Sequence, residues 1–171
     1  MMIRSVDEHR REAPKHVKCL VVTISDTRVA ENDYSGQLTK ELLGSQEYEV
    51  VDYRIIKDDY DGIRQLLREA VSSRKVEAIL LNGGTGIAPR DNTYEAVRSL
   101  LNKELPGFGE IFRFLSYTED IGAAAILSRA IAGTIGNVAI FSMPGSQGAV
   151  KLAMEKIILP ELRHVIRELN K

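Results

Sequence analysis

Glycine, acidic and hydroxyl residues that could bind a phosphate or a metal ion follow four short apolar runs of the chain. Each group stands where a strand is predicted to end: Ser25-Asp26-Thr27-Arg28, Lys57-Asp58-Asp59, Asn82-Gly83-Gly84-Thr85-Gly86 and Met143-Pro144-Gly145-Ser146. In open α/β sheets, ligands bind beyond the carboxyl ends of the parallel strands. If these strands are parallel, we expect the four groups to meet at one edge of a sheet.

The glycine-rich turn within residues 82–91 (NGGTGIAPRD) lies between a predicted strand and a predicted helix. Its glycines could let backbone N–H groups approach a phosphate near the positive end of that helix. The turn lacks the Gly-Lys-Ser/Thr of a P-loop and the glycine spacing of dinucleotide-binding folds. A glycine-rich turn after a strand can also serve chain geometry alone, so both interpretations stay open here.

Asp58 and Asp91 are the acids with the most suitable positions for metal chemistry, because each follows a predicted strand of the same sheet. Two carboxylates together with phosphate oxygens form a ligand set that Mg²⁺ accepts. Either acid could instead cap the helix that follows it. Ser25 and Asp26 could bind substrate or satisfy nearby backbone amides. The cations that could balance phosphate charge are Arg90, Arg113 and Arg129.

The hydrophobic pattern places these residues on alternating strands and helices. A continuous apolar run predicts a strand buried on both faces at 19–24, and further strands are predicted at 50–56 and 76–81. Apolar residues at helical spacing predict helices over about 36–44, from residue 63 to 71 and after residue 92, and another helix is predicted after a glycine-rich break at 106–109.

The C-terminal part of the chain completes the predicted sheet. Residues 128–135 and 138–143 predict a hairpin around Gly136-Asn137, and its second strand should rejoin the main sheet. A last helix is predicted over about 147–169, with a kink or restart at Pro160. The predicted fold is α/β: a doubly wound, mostly parallel open sheet with helices on both faces and a small antiparallel hairpin.

Composition limits the partners of the protein. The 171 residues carry a net charge of −1, so no general field attracts nucleic acid or an anionic membrane. No apolar run approaches the ~20 residues that span a bilayer, and the single cysteine, Cys19, cannot form an intrachain disulfide. We therefore predict a cytoplasmic protein with one domain over 16–171. Residues 1–15 are predicted to form an arm that is flexible or packs on a partner subunit.

Several motifs in a fixed order give the chain a family likeness. They are TISDTR at 23–28, D-x-SG at 33–36, the acidic pair Asp58-Asp59, GGTG-x-x-PRD-x-T at 83–93, PGFGE at 106–110, SRA at 128–130 and MPGS at 143–146. Together they resemble the molybdenum cofactor biosynthesis protein B and molybdopterin adenylyltransferase family (MoaB/MogA), over residues 18 to about 160.

The resemblance implies an enzyme that joins the terminal phosphate of molybdopterin to the AMP part of ATP, with Mg²⁺, and releases pyrophosphate. It also implies a homotrimer or a homohexamer, and a MogA-like fold. Asp58 and Asp91 match the functional carboxylates, which we assign to catalysis and to Mg²⁺. The residues matching the phosphate-contacting turn are Gly83, Gly84, Thr85 and Gly86, and those matching the substrate pocket are Ser128, Pro144, Gly145 and Ser146.

We add Arg90 to the predicted ATP-phosphate site and Ser25, Asp26 and Arg129 to the predicted substrate site. The chain departs from the usual family pattern at Tyr34, Lys57, Asn82 and Tyr94. None of these departures removes a named carboxylate or glycine, and the presence of Asp91 favours an active enzyme. The alternatives are a non-catalytic molybdopterin carrier or assembly protein, and a competence-damage-type enzyme that hydrolyses nucleotide-containing substrates.

Overall fold

The computed structural model describes residues 2–11 and 13–171. Within them, six strands form one sheet: β1 (Lys18–Ile24), β2 (Glu49–Ile56), β3 (Ala78–Asn82), β4 (Lys103–Glu104), β5 (Ile131–Ile135) and β6 (Val138–Met143). The strand order is β2-β1-β3-β6-β5-β4. Strands β2, β1, β3 and β6 are parallel, whereas β5 is antiparallel to both β6 and β4. The mostly parallel sheet with an antiparallel hairpin is confirmed.

Helices precede, connect and follow these strands: α1 (Met2–Arg11), α2 (Tyr34–Ser45), α3 (Tyr60–Ser73), α4 (Thr93–Leu100), α5 (Pro106–Glu119), α6 (Gln147–Ala153) and α7 (Leu159–Leu169). Short 3₁₀ segments occupy Ala30–Asn32 and Gly122–Leu127. The longest helices, α3 and α5, have 14 residues each. None of the helices in the described part of the chain is long and apolar enough to cross a membrane.

Helices cover both faces of the sheet, as the fold class requires. Leu43 of α2, Phe112 of α5 and Leu162 of α7 pack on one face. Ile63 and Leu67 of α3 pack on the other face, together with α4. Because β1, β3 and β6 are enclosed between these layers, nearly all of their residues are buried, which explains their continuous apolar sequences.

Two predicted boundaries change in the structure. The glycine-rich break expected at 106–109 is wrong, because α5 begins at Pro106 and continues through both glycines. A proline fits the first turn of a helix, because an N–H at this position would have no hydrogen-bond partner within the helix. The first strand of the hairpin begins at Ile131, so Ser128 and Arg129 lie in the loop before it.

The last helical region restarts near Pro160, as predicted. α6 ends at Ala153, a wider π-helical turn spans Met154–Ile158, and α7 begins at Leu159. Proline has no N–H to donate and its ring crowds the preceding turn. The wider turn accommodates both effects without ending the helical path.

The predicted N-terminal arm contains α1, which contacts α7. The Arg10 guanidinium forms an ion pair with the Glu161 carboxylate of α7. The flexibility assigned to residues 1–15 stays a prediction.

Candidate functional site

A cavity of about 180 Å³ lies at the carboxyl ends of the parallel strands. Its lining residues are Ile24, Ser25, Asp26, Thr27, Asp58, Gly84, Arg90 and Asp91. The loops after β1, β2 and β3 therefore meet, as the predicted topology requires. Single ligand pockets usually have volumes of ~300 Å³ or more, so a ligand of ordinary size would extend from this cavity onto the adjoining surface.

A larger cavity of about 470 Å³ lies between β2 and α3. Its walls include Leu20, Leu66 and Val76, together with charged side chains of both signs, and it contains none of the predicted site residues. We place the functional site in the smaller cavity because carboxylates, a cation and the glycine-rich turn meet there at strand ends.

The glycine-rich turn has a backbone that other residues would strain. Gly83 and Gly84 have φ values of +107° and +67°. A Cβ on Gly83 would lie 2.2 Å from the Ile24 carbonyl oxygen, and a Cβ on Gly84 would lie 2.6 Å from Asp58 Oδ2. The Gly83 N–H also donates to the Met143 carbonyl at 3.0 Å. The turn is therefore tightly held between the ends of β1 and β6.

Asp58 contacts the start of α4 and does not cap its own helix. Asp58 Oδ1 accepts a hydrogen bond from the Asn92 N–H at 3.0 Å and a longer one from the Thr93 hydroxyl at 3.4 Å. The neighbouring Asp59 caps α3, because its carboxylate accepts from the Gly62 N–H at 2.7 Å. Asp58 thus joins the β2 loop to the α4 loop at the cavity.

Asp91 lies beside Gly86, the last glycine of the turn. Asp91 Oδ2 accepts from the Ala88 N–H at 2.8 Å and lies 2.6 Å from the position of a Cβ on Gly86. The N-cap residue of α4 is Asn92. The alternative in which Asp91 merely caps α4 is therefore wrong, and its carboxylate belongs to the loop that lines the cavity.

The cavity concentrates negative charge. Partial burial raises the pKa of Asp58, and the nearby Asp91 and Asp26 carboxylates raise it further. The hydrogen bonds from Asn92 and Thr93 act in the opposite direction and lower this pKa. The Arg90 side chain lines the same cavity and is exposed. Among the described residues its guanidinium has no hydrogen-bond or ion-pair partner, so this cation remains available to an anionic ligand.

Asp58→Asn should raise the thermal unfolding midpoint of the ligand-free protein at about pH 7, because a neutral amide avoids the burial of a charge and does not repel Asp91 and Asp26. A carboxyl group whose pKa is higher in the fold than in the unfolded chain lowers stability as the pH rises through that range. The gain should therefore shrink towards about pH 4, where the carboxyl is largely protonated. Unfolding midpoints of both proteins across this range, without Mg²⁺, test the expectation. A gain that grows at low pH would contradict it.

The side chains of Ser25 and Asp26 mainly order the loop after β1. Ser25 Oγ accepts from the N–H groups of Thr27 and Arg28 at 3.2 and 3.0 Å. Asp26 Oδ1 accepts from the Asp58 N–H at 3.2 Å. The structure thus brings both residues to the cavity, and their assignment to substrate binding stays a prediction.

Arg129 does not line the cavity, but its side chain binds two of the loops that form it. Its Nε donates to the Gly86 carbonyl at 2.8 Å and one terminal nitrogen donates to the Asp91 carbonyl at 3.2 Å. The guanidinium also pairs with Glu95 and lies 5.0 Å from the Tyr94 ring centroid. These contacts fix the turn relative to the Asp91 loop.

Three more predicted residues lie near Arg129 and its contacts to the glycine-rich turn: Thr85, Ser128 and Arg113. The Thr85 side chain is buried, and its carbonyl accepts from the Arg129 N–H at 3.0 Å. Ser128 Oγ accepts from the Ala130 N–H at 3.4 Å, and Arg113 donates to the Ala130 carbonyl at 3.3 Å. These residues lie next to the glycine-rich turn and outside the set that lines the cavity.

The Pro144-Gly145-Ser146 turn packs against the glycine-rich turn without lining the cavity. A Cβ on Gly145 would lie 3.3 Å from Gly83 Cα. Ser146 caps α6 by accepting from the Ala149 N–H at 3.2 Å. The sequence analysis did not assign Thr27 and Ile24, which also line the cavity; their only signal is that they flank the predicted Ser25-Asp26 pair.

The doubly wound sheet and its strand-end cavity define an α/β protein with two carboxylates and an arginine beside a glycine-rich turn. A family model described as a probable molybdopterin binding domain matches residues 20–164. The chain belongs to this family.

Relatives agree with this assignment. Molybdenum cofactor biosynthesis protein B of Halalkalibacterium halodurans is 62% identical over 167 residues, covering 98% of each chain. A crystal structure of a molybdenum cofactor biosynthesis protein B is 57% identical, with a TM-score of 0.90, and covers 93% of this chain and 99% of its own. The tungsten cofactor synthesizing protein MoaB of Pyrococcus furiosus is 40% identical, with a TM-score of 0.83 over 93% and 100% of the two chains.

Proposed function

We propose that the protein acts in molybdenum cofactor biosynthesis as a molybdopterin adenylyltransferase. The observation that carries the proposal is one cavity lined by Asp58, Asp91, Gly84 and Arg90. The Arg90 guanidinium has no partner among the described residues, and the chain belongs to the molybdopterin-binding family. In the proposed reaction, a phosphate oxygen of molybdopterin attacks the α-phosphorus of ATP. The bond from that phosphorus to the bridging oxygen breaks, and pyrophosphate leaves with the electron pair.

The glycine-rich turn supplies the donors for the triphosphate. In the described chain, the N–H groups of Gly84, Thr85 and Gly86 donate no hydrogen bond within the protein. Backbone amides in a turn that ends near a helix start form a suitable anion site. Transfer of this kind depends on positioning and charge neutralisation and needs no protein nucleophile, so the proposed reaction requires none at this site.

The carboxylates fit Mg²⁺. This ion is commonly bound through one or two carboxylates plus substrate phosphates and water. Partial burial, followed by the nearby Asp91 and Asp26 carboxylates, raises the pKa of Asp58, and a bound cation would favour the ionised form of this carboxyl. Among the residues that the structure describes, no three His, Cys, Asp or Glu side chains form a group that could hold a metal ion. Asp58 and Asp91 would hold Mg²⁺, which supplies charge neutralisation at the phosphates when bound.

Arg90→Ala should raise the KM for ATP about tenfold, because a charge-assisted contact to phosphate would be lost. The folded protein should keep its stability, since the Arg90 side chain is exposed and its guanidinium has no partner among the described residues. The Arg90 carbonyl, which accepts from the Asn92 side chain, is kept in alanine. Arg68→Ala, which removes an exposed arginine of α3, is the matched control. Steady-state kinetics of both variants test the role, and equal KM values for ATP would contradict it.

We also propose that the protein forms a homotrimer or homohexamer. Large apolar side chains are exposed along α5 and the segment after it, including Phe114 at 65% and Ile126 at 82% exposure. A cluster of exposed apolar residues on one surface commonly marks a protein interface. Light scattering coupled to size-exclusion chromatography tests this, and a monomer at micromolar concentration would contradict it.

A pyrophosphate-release assay separates the proposed enzyme from a carrier. Release should require ATP, Mg²⁺ and molybdopterin together. A carrier would bind molybdopterin in calorimetry and release no pyrophosphate. An enzyme that hydrolyses nucleotide-containing substrates would consume them without joining AMP to the pterin.

A further inference from the structure

A buried carboxylate at the start of α2 joins three elements. Asp33 is 1% exposed. Its Oδ1 accepts from the Gly36 N–H at 2.9 Å and caps α2. Its Oδ2 accepts from the Thr23 hydroxyl at 2.6 Å and from the Tyr53 hydroxyl. One side chain therefore fixes α2 against β1 and β2.

The same network reaches the glycine-rich turn. Asn82 Nδ2 donates to Thr23 Oγ1 at 3.0 Å, and the two residues are paired across β1 and β3. Both side chains are buried. Asn82 directly precedes Gly83, so the position of the turn depends on a chain of hydrogen bonds that begins at Asp33.

A second contact from the start of α2 reaches the Pro144-Gly145-Ser146 turn. The Ser35 hydroxyl donates to the Gly145 carbonyl at 2.7 Å, and Ser35 is 7% exposed. Gly145 in turn packs closely on Gly83. Neither Asp33 nor Ser35 lines the cavity.

We propose that Asp33 and Ser35 are positioning residues that fix the glycine-rich turn and the Pro144-Gly145-Ser146 turn relative to each other. The catalytic consequence rests on the proposed adenylylation. If one turn holds the triphosphate and the other borders the pterin, their separation sets the distance between the reacting atoms. Small displacements of reacting groups lower rates strongly, even when each substrate still binds.

Ser35→Ala removes the bond to Gly145 and leaves the Asp33 cap in place. The matched control is Thr39→Val, because the Thr39 hydroxyl is also buried in α2 and donates to a carbonyl, that of Ser35, at 2.9 Å within the helix. Thr23→Val tests the Asp33 branch separately with little change in volume, and it keeps the proposal testable should Ser35→Ala fail to fold.

The first measurement is hydrogen exchange at the Gly83 amide by nuclear magnetic resonance. We expect exchange about fivefold faster in Ser35→Ala and in Thr23→Val, as for loss of one ordinary hydrogen bond, and no change in Thr39→Val. The second measurement is kinetic: kcat should fall about tenfold in both test variants, while the KM for ATP changes by less than about twofold.

Equal Gly83 exchange in Ser35→Ala, Thr23→Val and Thr39→Val would overturn the proposal. A KM effect in place of the kcat effect would also overturn it, because the residues would then act on binding. If the unsubstituted protein makes no adenylylated molybdopterin, the proposed function fails. The exchange measurement then still decides whether the start of α2 positions the two turns.

Discussion

Asp91→Asn should lower the rate of adenylyl-molybdopterin formation by about 100-fold or more, the usual effect of losing one preorganised electrostatic contact. The amide oxygen of asparagine can still accept the Ala88 N–H that Asp91 Oδ2 accepts now. The loop should therefore keep its shape while its charge is lost. Kinetics at saturating ATP and Mg²⁺ measure the loss of rate. Thermal unfolding checks that the protein keeps its stability.

The control for this substitution is Asp59→Asn. Asp59 is an exposed acid directly after Asp58, and its side chain caps α3. Asparagine is an equally good N-cap residue, so this variant removes a nearby charge without removing the cap. It should retain nearly full activity. Normal turnover by Asp91→Asn, or equal loss in the two variants, would contradict the role of Asp91.

Gly83→Ala should lower the free energy of unfolding by about 2 kcal/mol or more. An alanine at a φ of +107° is strained, and its Cβ would lie 2.2 Å from the Ile24 carbonyl oxygen. The backbone fixes the position of the Cβ, and the oxygen belongs to the backbone of Ile24, so no side-chain rotation relieves the contact. Urea unfolding measures the loss, and the phosphate site should be lost with it because the turn must move.

Gly44→Ala is the matched control for this experiment. Gly44 lies in α2 and a Cβ there would meet nothing within 4 Å. Alanine in a helix is favoured over glycine by about 0.5–1 kcal/mol, so this variant should be as stable as the unsubstituted protein or more so. If Gly83→Ala unfolds at the same urea concentration as Gly44→Ala, the turn is not constrained as described.

Much of the fold could be predicted because its central strands are buried on both faces. β1 has a continuous apolar sequence, which indicated a strand of a parallel sheet between helices. β4 could not be predicted in this way, since its two residues, Lys103 and Glu104, are exposed and have no apolar pattern. The glycines within α5 also misled the prediction. At Gly109 a Cβ would lie 2.8 Å from the Ala130 carbonyl, so close packing explains one of them.

The location of the site could be predicted from strand ends, because parallel topology brings those loops together. The long-range hydrogen bonds that hold the site in place could not be predicted. Arg129 lies 43 residues from Gly86 and Asn82 lies 59 residues from Thr23. Such contacts depend on the packed geometry of distant segments. Sequence patterns at short range therefore indicated Arg129 as a substrate-binding cation, without its contacts to the turn. They did not show that Asp33 accepts hydrogen bonds from the Thr23 and Tyr53 hydroxyls.

The most direct test of the proposed chemistry is mass spectrometry of the pterin product. Purified protein would be incubated with molybdopterin, Mg²⁺ and ATP labelled at the α-phosphate. We predict a pterin that carries the labelled AMP, formed together with an equal amount of pyrophosphate and absent when Mg²⁺ is chelated. Molybdopterin that is bound and recovered unchanged, with ATP intact, would contradict the account.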